Sequence, residues 1–418
     1  MAAADNLVAR HASRLVAEAL RDTRVVLVQG ARQVGKSTLA TRLVDLPGAE
    51  VRTLDDVGML EAARTDPVGF VETPGPLVID EIQRAPELLL AIKSRVDRDP
   101  RPGQFLLTGS AQVLATRRVA DSLPGRVETI SLWPLSQGEI DVSPDQFLDA
   151  VFQDGPDFTH TTSVARSEYL SRLTRGGFPD ARNRSARRLQ AFLDSYTRSI
   201  VDRDVRDLSQ IERAPQLRAL LPMLAARSGS LMMPAGLANK LAISRPTVAR
   251  YLALLQEVFL IAAIPAWSRN VSARATSASK LAFVDSGIAA NLLGETPESL
   301  ARPQSHLGPL LEGFVAMELA RQATWSDVRV ELSHYRTKDG VEVDLIAEDR
   351  SGAVIAIEVK ASSTVRSEDF RGIHHLRERI GDDLRLGIVL HAGTNTLAFG
   401  PGLKAVPIAA IWEAGRPK

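Results

Sequence analysis

The chain has 418 residues, of which 44% are hydrophobic and 24% charged, proportions that are ordinary for a globular protein with a large core. It contains no cysteine, which excludes a disulfide framework and any cysteine-based zinc or redox site and fits a reducing cytoplasm. No N-terminal stretch has the layout of a signal peptide, and no run reaches ~18 apolar residues, so we expect no membrane span.

The formal net charge of +1 conceals an uneven distribution of charge along the chain. Residues 160–250 contain 16 basic and 7 acidic residues, whereas the remainder contains 35 basic and 43 acidic residues. A basic middle indicates an anionic partner, with nucleic acid as the first candidate. The alternative is that these arginines pair with acidic faces of the same chain or of a neighbour.

A phosphate-binding loop follows the first predicted strand. The apolar run 25–28 leads into G-x-x-x-x-G-K-S, and a helical pattern comes next, which is the setting that this motif requires. Backbone N–H groups of such a loop, together with the helix N-terminus, bind nucleotide phosphates. We expect Lys36 to reach the β- and γ-phosphates and Ser37 to bind Mg²⁺. The predicted nucleotide-binding residues in this loop are Gly30, Ala31, Arg32, Gln33, Val34, Gly35, Lys36, Ser37 and Thr38.

A second apolar strand, residues 77–79, ends in Asp80 and Glu81 and resembles a Walker B element. We expect Asp80 to hold Mg²⁺, directly or through water, and Glu81 to orient and polarise the attacking water. About forty residues separate this strand from the phosphate loop, a spacing that strengthens an otherwise weak motif.

A third strand, residues 105–107, leads to Thr108 and Ser110. Either hydroxyl is a candidate for contacting the γ-phosphate or the attacking water, and the alternative is a turn that merely ends the strand. Strands that alternate with helices predict a parallel α/β sheet, with ligands beyond the carboxyl ends of the strands.

Arg126 lies in a predicted turn between a helix and a strand. An arginine placed there could project into the nucleotide site of a neighbouring subunit and stabilise the charge of the transition state. This role requires a homo-oligomer. The alternative is a surface salt bridge.

The chain resembles a large prokaryotic family of poorly characterised AAA-type ATPases in the segments GARQVGKSTLA, LVIDEIQRAP, FLLTGSA and GRVETISLWPLSQGE. The resemblance continues through GGFPDA, SYTRSIVDRDVRDL, LAISRPTVARYLALLQEVFLI and EVDLIAEDRSGAVIAIEVKAS, and so covers nearly the whole chain. Members carry an AAA ATPase domain followed by a C-terminal domain of unknown function. The resemblance implies an AAA fold, ATP, Mg²⁺ and a winged helix in the middle, but no known substrate.

A helix-turn-helix is predicted within residues 235–260. Ser244 suits an N-cap and Pro246 the first helical turn, so a second helix should begin there. Its predicted outer residues, Arg245, Thr247, Arg250 and Tyr251, lie where such a motif presents side chains to DNA. We expect Arg245, Thr247 and Arg250 to bind DNA mainly through the phosphate backbone. The alternative is a module that only packs proteins together. Predicted buried residues are Leu237, Ala238, Leu241, Val248, Leu252 and Leu255.

Two strands near the C-terminus, 341–347 and 354–360, are predicted to form a hairpin. Side chains alternate between the faces of a strand, so Glu358 and Lys360 share a face, and Asp344 joins them if it pairs near Glu358. The opposite face would then be the buried, apolar one.

This hairpin resembles the restriction-endonuclease-like PD-(D/E)xK superfamily, with Asp344 as the lone aspartate and Glu358-Val359-Lys360 as the E-x-K. Glu312, on a preceding helical pattern, is a further candidate ligand. Grouped carboxylates suit Mg²⁺, and the metal with Lys360 would activate water against a phosphodiester. The alternatives are a degenerate nuclease fold used for binding, or a surface pair of Glu358 and Lys360.

Together these features predict an α/β protein in four parts: a P-loop AAA ATPase domain with a parallel sheet (1–145), a basic helical lid or linker (146–225), a winged helix-turn-helix (226–275) and an α/β restriction-endonuclease-like domain (276–418). The predicted function is ATP hydrolysis that drives work on DNA or on a partner protein. The alternatives are an ATP-gated, metal-dependent nuclease in DNA processing or defence, and a nucleotide-dependent DNA-binding regulator. We expect a cytoplasmic homo-oligomer.

Overall fold

The computed structural model describes residues 7–110, 125–205, 214–232, 234–270 and 277–415 of a mixed α/β protein. It divides into two compact units, Met1–Leu135 with Glu257–Phe259, and Ser136–Gln256 with Leu260–Lys418. The predicted division into four parts is finer and stays a prediction. Parts of the predicted lid and winged helix (206–213, 233 and 271–276), and the segment before Arg126 (111–124), lie outside the described residues.

The first unit contains a five-stranded parallel sheet with the strand order β2-β3-β4-β1-β5, which confirms the predicted parallel α/β sheet. Its elements are α1 (His11–Asp22), β1 (Val25–Gln29), α2 (Lys36–Thr38, continued by a π-helical turn, Leu39–Leu43), β2 (Glu50–Thr53), α3 (Val57–Thr65), α4 (Pro67–Val71), β3 (Leu77–Asp80), α5 (Leu88–Arg98), β4 (Phe105–Gly109) and β5 (Val127–Ser131).

The three central strands of this sheet are almost wholly buried, as expected where a parallel sheet is covered on both faces. This explains why they read in the sequence as continuous apolar runs. Two short helices begin at aspartates whose carboxylates accept a backbone N–H: Asp56 from Met59 at 2.8 Å and Asp66 from Gly69 at 2.9 Å. Phe105, Leu27 and Ile79 lie in the core of this unit.

The second unit combines helices with a six-stranded mixed sheet, order β12-β13-β11-β10-β9-β8, and an antiparallel ribbon of β6 and β7. Its elements are α6 (Gln137–Asp141), α7 (Phe147–Asp154), α8 (Arg166–Arg175), α9 (Ala186–Ser199), α10 (Ala214–Ala225), α11 (Pro234–Leu241), α12 (Arg245–Glu257), β6 (Ile261–Ile264), β7 (Lys280–Phe283), α13 (Ser286–Leu292), α14 (Pro297–Leu300), α15 (Leu307–Trp325), β8 (Val330–Arg336), β9 (Glu342–Asp349), β10 (Val354–Lys360), α16 (Arg371–Ile380), β11 (Leu384–His391), β12 (Leu397–Ala398), β13 (Leu403–Pro407) and α17 (Ala410–Glu413).

Helices α11 and α12 lie where the sequence predicts the two helices of a helix-turn-helix, and the β6–β7 ribbon follows them; the winged helix-turn-helix stays a prediction. Tyr251, however, is buried rather than on the outer side as we expected. The reason is helical spacing, because Val248, Tyr251, Leu252 and Leu255 lie on one face at i, i+3, i+4 and i+7. Leu241 is half-buried rather than buried.

Strands β9 and β10 pair in the predicted antiparallel hairpin, with Leu345 opposite Ile357. Both faces of the hairpin are buried, since β9 is buried from Val343 to Ala347 and β10 from Val354 to Val359. Helices α15 and α16 both pack against β10 and so cover the hairpin. None of the helices in the described ranges is long and apolar enough to cross a membrane.

Candidate functional sites

The phosphate loop connects β1 to α2 and depends on glycine at two positions. Gly35 has φ 97°, in the left-handed region that favours glycine. A Cβ atom at Gly30 would lie 2.1 Å from the carbonyl oxygen of Leu132, just after β5. The loop therefore starts in close contact with the chain that leaves the neighbouring strand.

Lys36 begins α2 and is nearly buried, with 4% of its surface exposed. Its Nζ donates to the carbonyl oxygens of Gly30 at 3.1 Å and Ala31 at 2.9 Å. The ammonium group is thus held against the loop backbone that the motif assigns to phosphate. Among the other predicted loop residues, Ala31 and Val34 are buried. Arg32 and Thr38 are half-buried, and Gln33 is exposed.

Asp80, the last residue of β3, joins side chains from three other elements. The Ser37 hydroxyl donates to its two carboxylate oxygens at 2.8 and 2.9 Å, Thr108 at the end of β4 donates to Oδ1, and Thr53 lies 3.5 Å from Oδ2. Strand β4 lies between β1 and β3, which explains how Thr108 reaches this carboxylate. The hydroxyl of Ser37 and the carboxylate of Asp80 are hard oxygen ligands that fit Mg²⁺.

Glu81 follows Asp80 in a left-handed conformation, φ 60° and ψ 46°, which is uncommon for a residue with a Cβ atom. Its N–H donates to the Thr108 hydroxyl at 3.1 Å. The side-chain amide of Gln83 donates both to the Glu81 carboxylate and to the Ser110 hydroxyl, the latter at 2.8 Å. The structure therefore brings the predicted residues Glu81 and Ser110 together through Gln83, which was not predicted.

Arg10, just before α1, is a second residue that the sequence did not reveal. Its guanidinium donates to the carbonyl oxygens of Val34, inside the phosphate loop, at 2.8 Å and of Trp133 at 2.6 Å. Only 8% of its surface is exposed. It braces the loop against the segment after β5, and no local motif signals a contact over such sequence separations.

Arg126 immediately precedes β5, whereas the phosphate loop follows β1. Since β1 and β5 are parallel and in register from Val25 opposite Val127, the arginine lies at the end of the sheet away from its own loop. Its Nε pairs with Asp97 of α5, and this hydrogen bond lowers the pKa of the Asp97 carboxyl group. A role in a neighbouring subunit stays a prediction.

Helix α12 presents two of the three predicted DNA-binding residues to solvent. Arg245 and Arg250 are exposed. Thr247 instead takes part in the helix cap: its N–H donates to the Ser244 hydroxyl at 3.2 Å, and the two hydroxyl oxygens are 2.7 Å apart. The Thr247 side chain is therefore engaged within the turn.

The carboxylates of the C-terminal hairpin lie together around a lysine that was not predicted. Asp344 and Glu358 are linked by the Asp344 N–H, which donates to Glu358 Oε2 at 3.1 Å. Lys280, from β7, places its Nζ 2.9 Å from Asp344 Oδ1 and 3.9 Å from both Glu312 Oε2 and Glu342 Oε1. Lys280 is only 3% exposed. We give the name Lys280 cluster to Lys280, Glu312, Glu342, Asp344 and Glu358.

Ionisation within the Lys280 cluster is uneven. Burial, reinforced by the negative charge of Asp344, raises the pKa values of Glu358 and Glu312. Burial also opposes ionisation of Asp344, but the Lys280 ammonium and hydrogen bonds to the carboxylate, including one from the Val359 N–H, together outweigh it and lower the pKa of Asp344. The predicted Lys360 is less buried, 3.9 Å from Glu358. Among the residues that the structure describes, no group of three or more His, Asp or Glu side chains could hold a metal ion.

Three family models match the chain. Residues 22–141 match an AAA domain, residues 166–299 a domain of unknown function (DUF8612), and residues 307–411 a second domain of unknown function (DUF4143). The first match includes the phosphate loop and Asp80, and the last includes the predicted residues of the hairpin.

Known proteins resemble the chain over most of its length. The uncharacterized protein Rv2008c of Mycobacterium tuberculosis is 31% identical over 358 residues, which is 85% of this chain and 74% of that protein. An uncharacterized protein of Haemophilus influenzae is 24% identical, over 72% of this chain and 69% of that protein. Among solved structures, the Walker-type ATPase PABY2304 of Pyrococcus abyssi is 16% identical with a TM-score of 0.40, over 67% of this chain and 94% of that one.

Proposed function

The chain belongs to the family that joins an N-terminal AAA domain to a C-terminal DUF4143 domain, the family of Rv2008c, and from this premise we propose that it is an ATPase. The supporting observation is the hydrogen-bonded group around Asp80. It connects Ser37 of the phosphate loop with Thr108 and, through Thr108, with Glu81. Motifs that are far apart in the sequence thus meet at the carboxyl ends of three parallel strands, where ligands bind in such sheets.

The proposed mechanism assigns one task to each of these groups. The loop N–H groups and Lys36 bind the phosphates of ATP, and Ser37 and Asp80 hold Mg²⁺. Bound Mg²⁺ would neutralise phosphate charge as the γ-phosphate departs. Glu81 orients the attacking water and accepts a hydrogen bond from it, while Thr108 fixes the backbone of Glu81. Hydrolysis then drives a conformational change that acts on DNA or on a partner protein.

Nucleotide binding and turnover test this assignment. Lys36→Ala should weaken ATP binding, because it removes the cation of the loop. Glu81→Gln should retain binding and trap unhydrolysed ATP. Glu61→Gln, a change of the same chemistry at an exposed position on α3, is the matched control and should behave like wild type. Turnover by Glu81→Gln at the wild-type rate would show that Glu81 has been assigned wrongly.

For the second unit we propose DNA as the partner, bound chiefly through phosphates. The observation that favours this is the exposure of Arg245 and Arg250 on α12, within the basic part of the chain. Phosphate contacts release counterions, so affinity should fall steeply with salt. DNA-stimulated ATP turnover would identify an ATPase that works on DNA, whereas binding without turnover would identify a regulator.

Fluorescence anisotropy with single- and double-stranded DNA over a range of salt concentrations tests this interface. Replacing both Arg245 and Arg250 with alanine should weaken binding to all sequences alike and reduce the salt slope by about 1 for each lost contact. Replacing Arg302 and Arg350, which are exposed outside the basic segment, makes the same change of charge as a control. Undetectable binding at low salt, with and without ATP, would refute DNA as the partner and leave a partner protein as the target of the ATPase.

For the Lys280 cluster we propose an internal ion pair in place of a nuclease centre. A metal-dependent nuclease would need a divalent cation beside Asp344 and Glu358, and the ammonium of Lys280 is within 2.9 Å of Asp344. The test is DNA cleavage with Mg²⁺ or Mn²⁺, measured in the same tubes as ATP turnover. Cleavage by wild type that Asp344→Ala abolishes would overturn this proposal and restore the nuclease.

A further inference from the structure

Gln83 is the side chain that connects the ends of β3 and β4 around Glu81. It lies in the single 3₁₀ turn, Ile82–Arg84, that follows Glu81 directly. Its Nε2 donates to the Glu81 carboxylate, two residues away, and to the hydroxyl of Ser110, 27 residues away. The Gln83 amide therefore donates hydrogen bonds to two residues that the sequence predicts to take part in ATP hydrolysis.

The backbone of Glu81 is fixed as firmly as its side chain. A left-handed conformation at a residue with a Cβ atom persists only where the surroundings enforce it, and such residues concentrate at functional sites. Here the Glu81 N–H is held by Thr108 and the carboxylate by Gln83. Glutamate normally has three freely rotating side-chain bonds, so holding both ends confines the carboxylate to a small volume.

The orientation of the Gln83 amide is set by its contact with Glu81. The amide Oε1 is buried and has no hydrogen-bond partner among the described residues. Rotating the amide by 180° would bring that oxygen against the Glu81 carboxylate, so the contact with Glu81 fixes the orientation of the amide.

We propose that Gln83 is a positioning residue for ATP hydrolysis, which holds the Glu81 carboxylate beside Ser110 in the orientation that directs the attacking water. This inference rests on the proposed function, because it acts through the role of Glu81. A side chain that is released from such a contact swings away from its working position, and displacement by about 1 Å can lower a rate by about 100-fold.

Kinetics of point variants provide the first test. Gln83→Ala should lower kcat by roughly 10- to 100-fold and leave the affinity for ATP within about twofold of wild type. Gln83→Glu keeps the size of the side chain but replaces the donor with a carboxylate that repels Glu81, so it should be at least as slow. Arg84→Ala is the control, because this neighbour in the same turn pairs with Asp55 and should keep the wild-type rate.

The decisive variant combines the two positions. If Gln83 acts only through Glu81, Gln83→Ala should cause no further loss of rate in a Glu81→Gln protein. A residue that merely supports the fold would lower the remaining rate again. A second measurement needs no nucleotide: in protein labelled with ¹⁵N-glutamine, the Gln83 side-chain amide should exchange slowly with solvent, and Glu81→Ala should accelerate that exchange.

The outcomes separate this inference from the function on which it rests. Wild-type turnover by Glu81→Gln would refute the assignment of Glu81 and Gln83 together. If Glu81→Gln is inactive while Gln83→Ala and Gln83→Glu turn over at the wild-type rate, only the role of Gln83 is refuted. Amide exchange that does not respond to Glu81→Ala would also refute it, even if a Gln83 variant fails to fold.

Discussion

Replacing Lys280 with methionine tests the Lys280 cluster directly. Methionine is of similar length and apolar, so it can fill the space of the lysine stem while removing the ammonium group. The Asp344 carboxylate, 6% exposed, would then keep its hydrogen bond from the Val359 N–H at 3.0 Å but lose its positive partner. The carboxyl groups of Glu312 and Glu342 would stay close to Asp344, but the ammonium group that all three now approach would be missing.

The expected cost follows from the depth of burial. Removing one partner of a buried ion pair destabilises a protein by about 3–5 kcal/mol, because the remaining charge is left uncompensated. For a unit of this size about 1 kcal/mol shifts the melting temperature by about 2–4 °C, so we expect a decrease of roughly 6–20 °C. Lys338→Met removes an exposed lysine near the same hairpin and should change the melting temperature little.

The assay is thermal and urea unfolding of the full chain, followed by circular dichroism. Lys280→Met combined with Asp344→Asn should recover part of the loss, since the unpaired charge is removed as well. A loss below about 1 kcal/mol for Lys280→Met alone would show that the pair is not the buried ion pair we describe. A rise in the melting temperature of the wild type on adding Mn²⁺ that Asp344→Asn abolishes and Asp80→Asn retains would show that a metal binds at the cluster and would contradict the internal ion pair.

Three further outcomes are expected. An arginine that stabilises the transition state in a neighbouring subunit contributes about 10³–10⁵ in rate. If Arg126 has this role, mixing Arg126→Ala with Lys36→Ala protein should restore some ATP turnover. No rescue in a confirmed mixed assembly would contradict the role. Arg10→Ala should weaken binding of a fluorescent ATP analogue more than it lowers kcat, because the phosphate loop loses its brace, and unchanged affinity would disprove this role. Burial, reinforced by the negative charges of Asp145 and Glu139, raises the pKa of Glu318 to about 7 despite its ion pair with Arg321. An acid whose pKa is higher in the folded state stabilises the fold below its unfolded pKa and loses that contribution as the pH rises to the folded pKa. Wild type should therefore lose stability relative to Glu318→Gln between roughly pH 4.5 and pH 7, and parallel pH profiles would refute the assignment.

Most of the proposed nucleotide site was predictable because its parts are local. A strand, a glycine-rich turn and a helix within about twenty residues identify the loop around Lys36, and an apolar strand that ends in acid identifies Asp80. That Asp344 and Glu358 lie on the same face of the hairpin was also predictable. A short turn fixes the register of the two strands, and side chains alternate between the faces of a strand. In each case the information lies within one or two neighbouring elements.

The remaining features depend on tertiary contacts that no local pattern encodes. Arg10 contacts residues 24 and 123 positions away, and Lys280 reaches Asp344 across 64 positions. The only sequence signal for the contact of Lys280 was its position as the first residue of an apolar strand. We predicted Tyr251 on the outer side of its helix because helical periodicity alone does not show which residues at the edge of the apolar face are covered by neighbouring elements. The packing of α15 and α16 against β10 was not predicted, because strand alternation does not show which helices cover each face.

The position of β4 between β1 and β3 also limits how the sequence can vary in length. Thr108 serves both Asp80 and Glu81 from the end of this strand. Because successive side chains on a strand point to opposite faces, inserting or deleting one residue within β4 would turn that hydroxyl away from both. The spacing within Phe105–Thr108 is therefore as constrained as that of the phosphate loop, although no named motif marks it. Relatives that differ in length should place their insertions outside Phe105–Gly109.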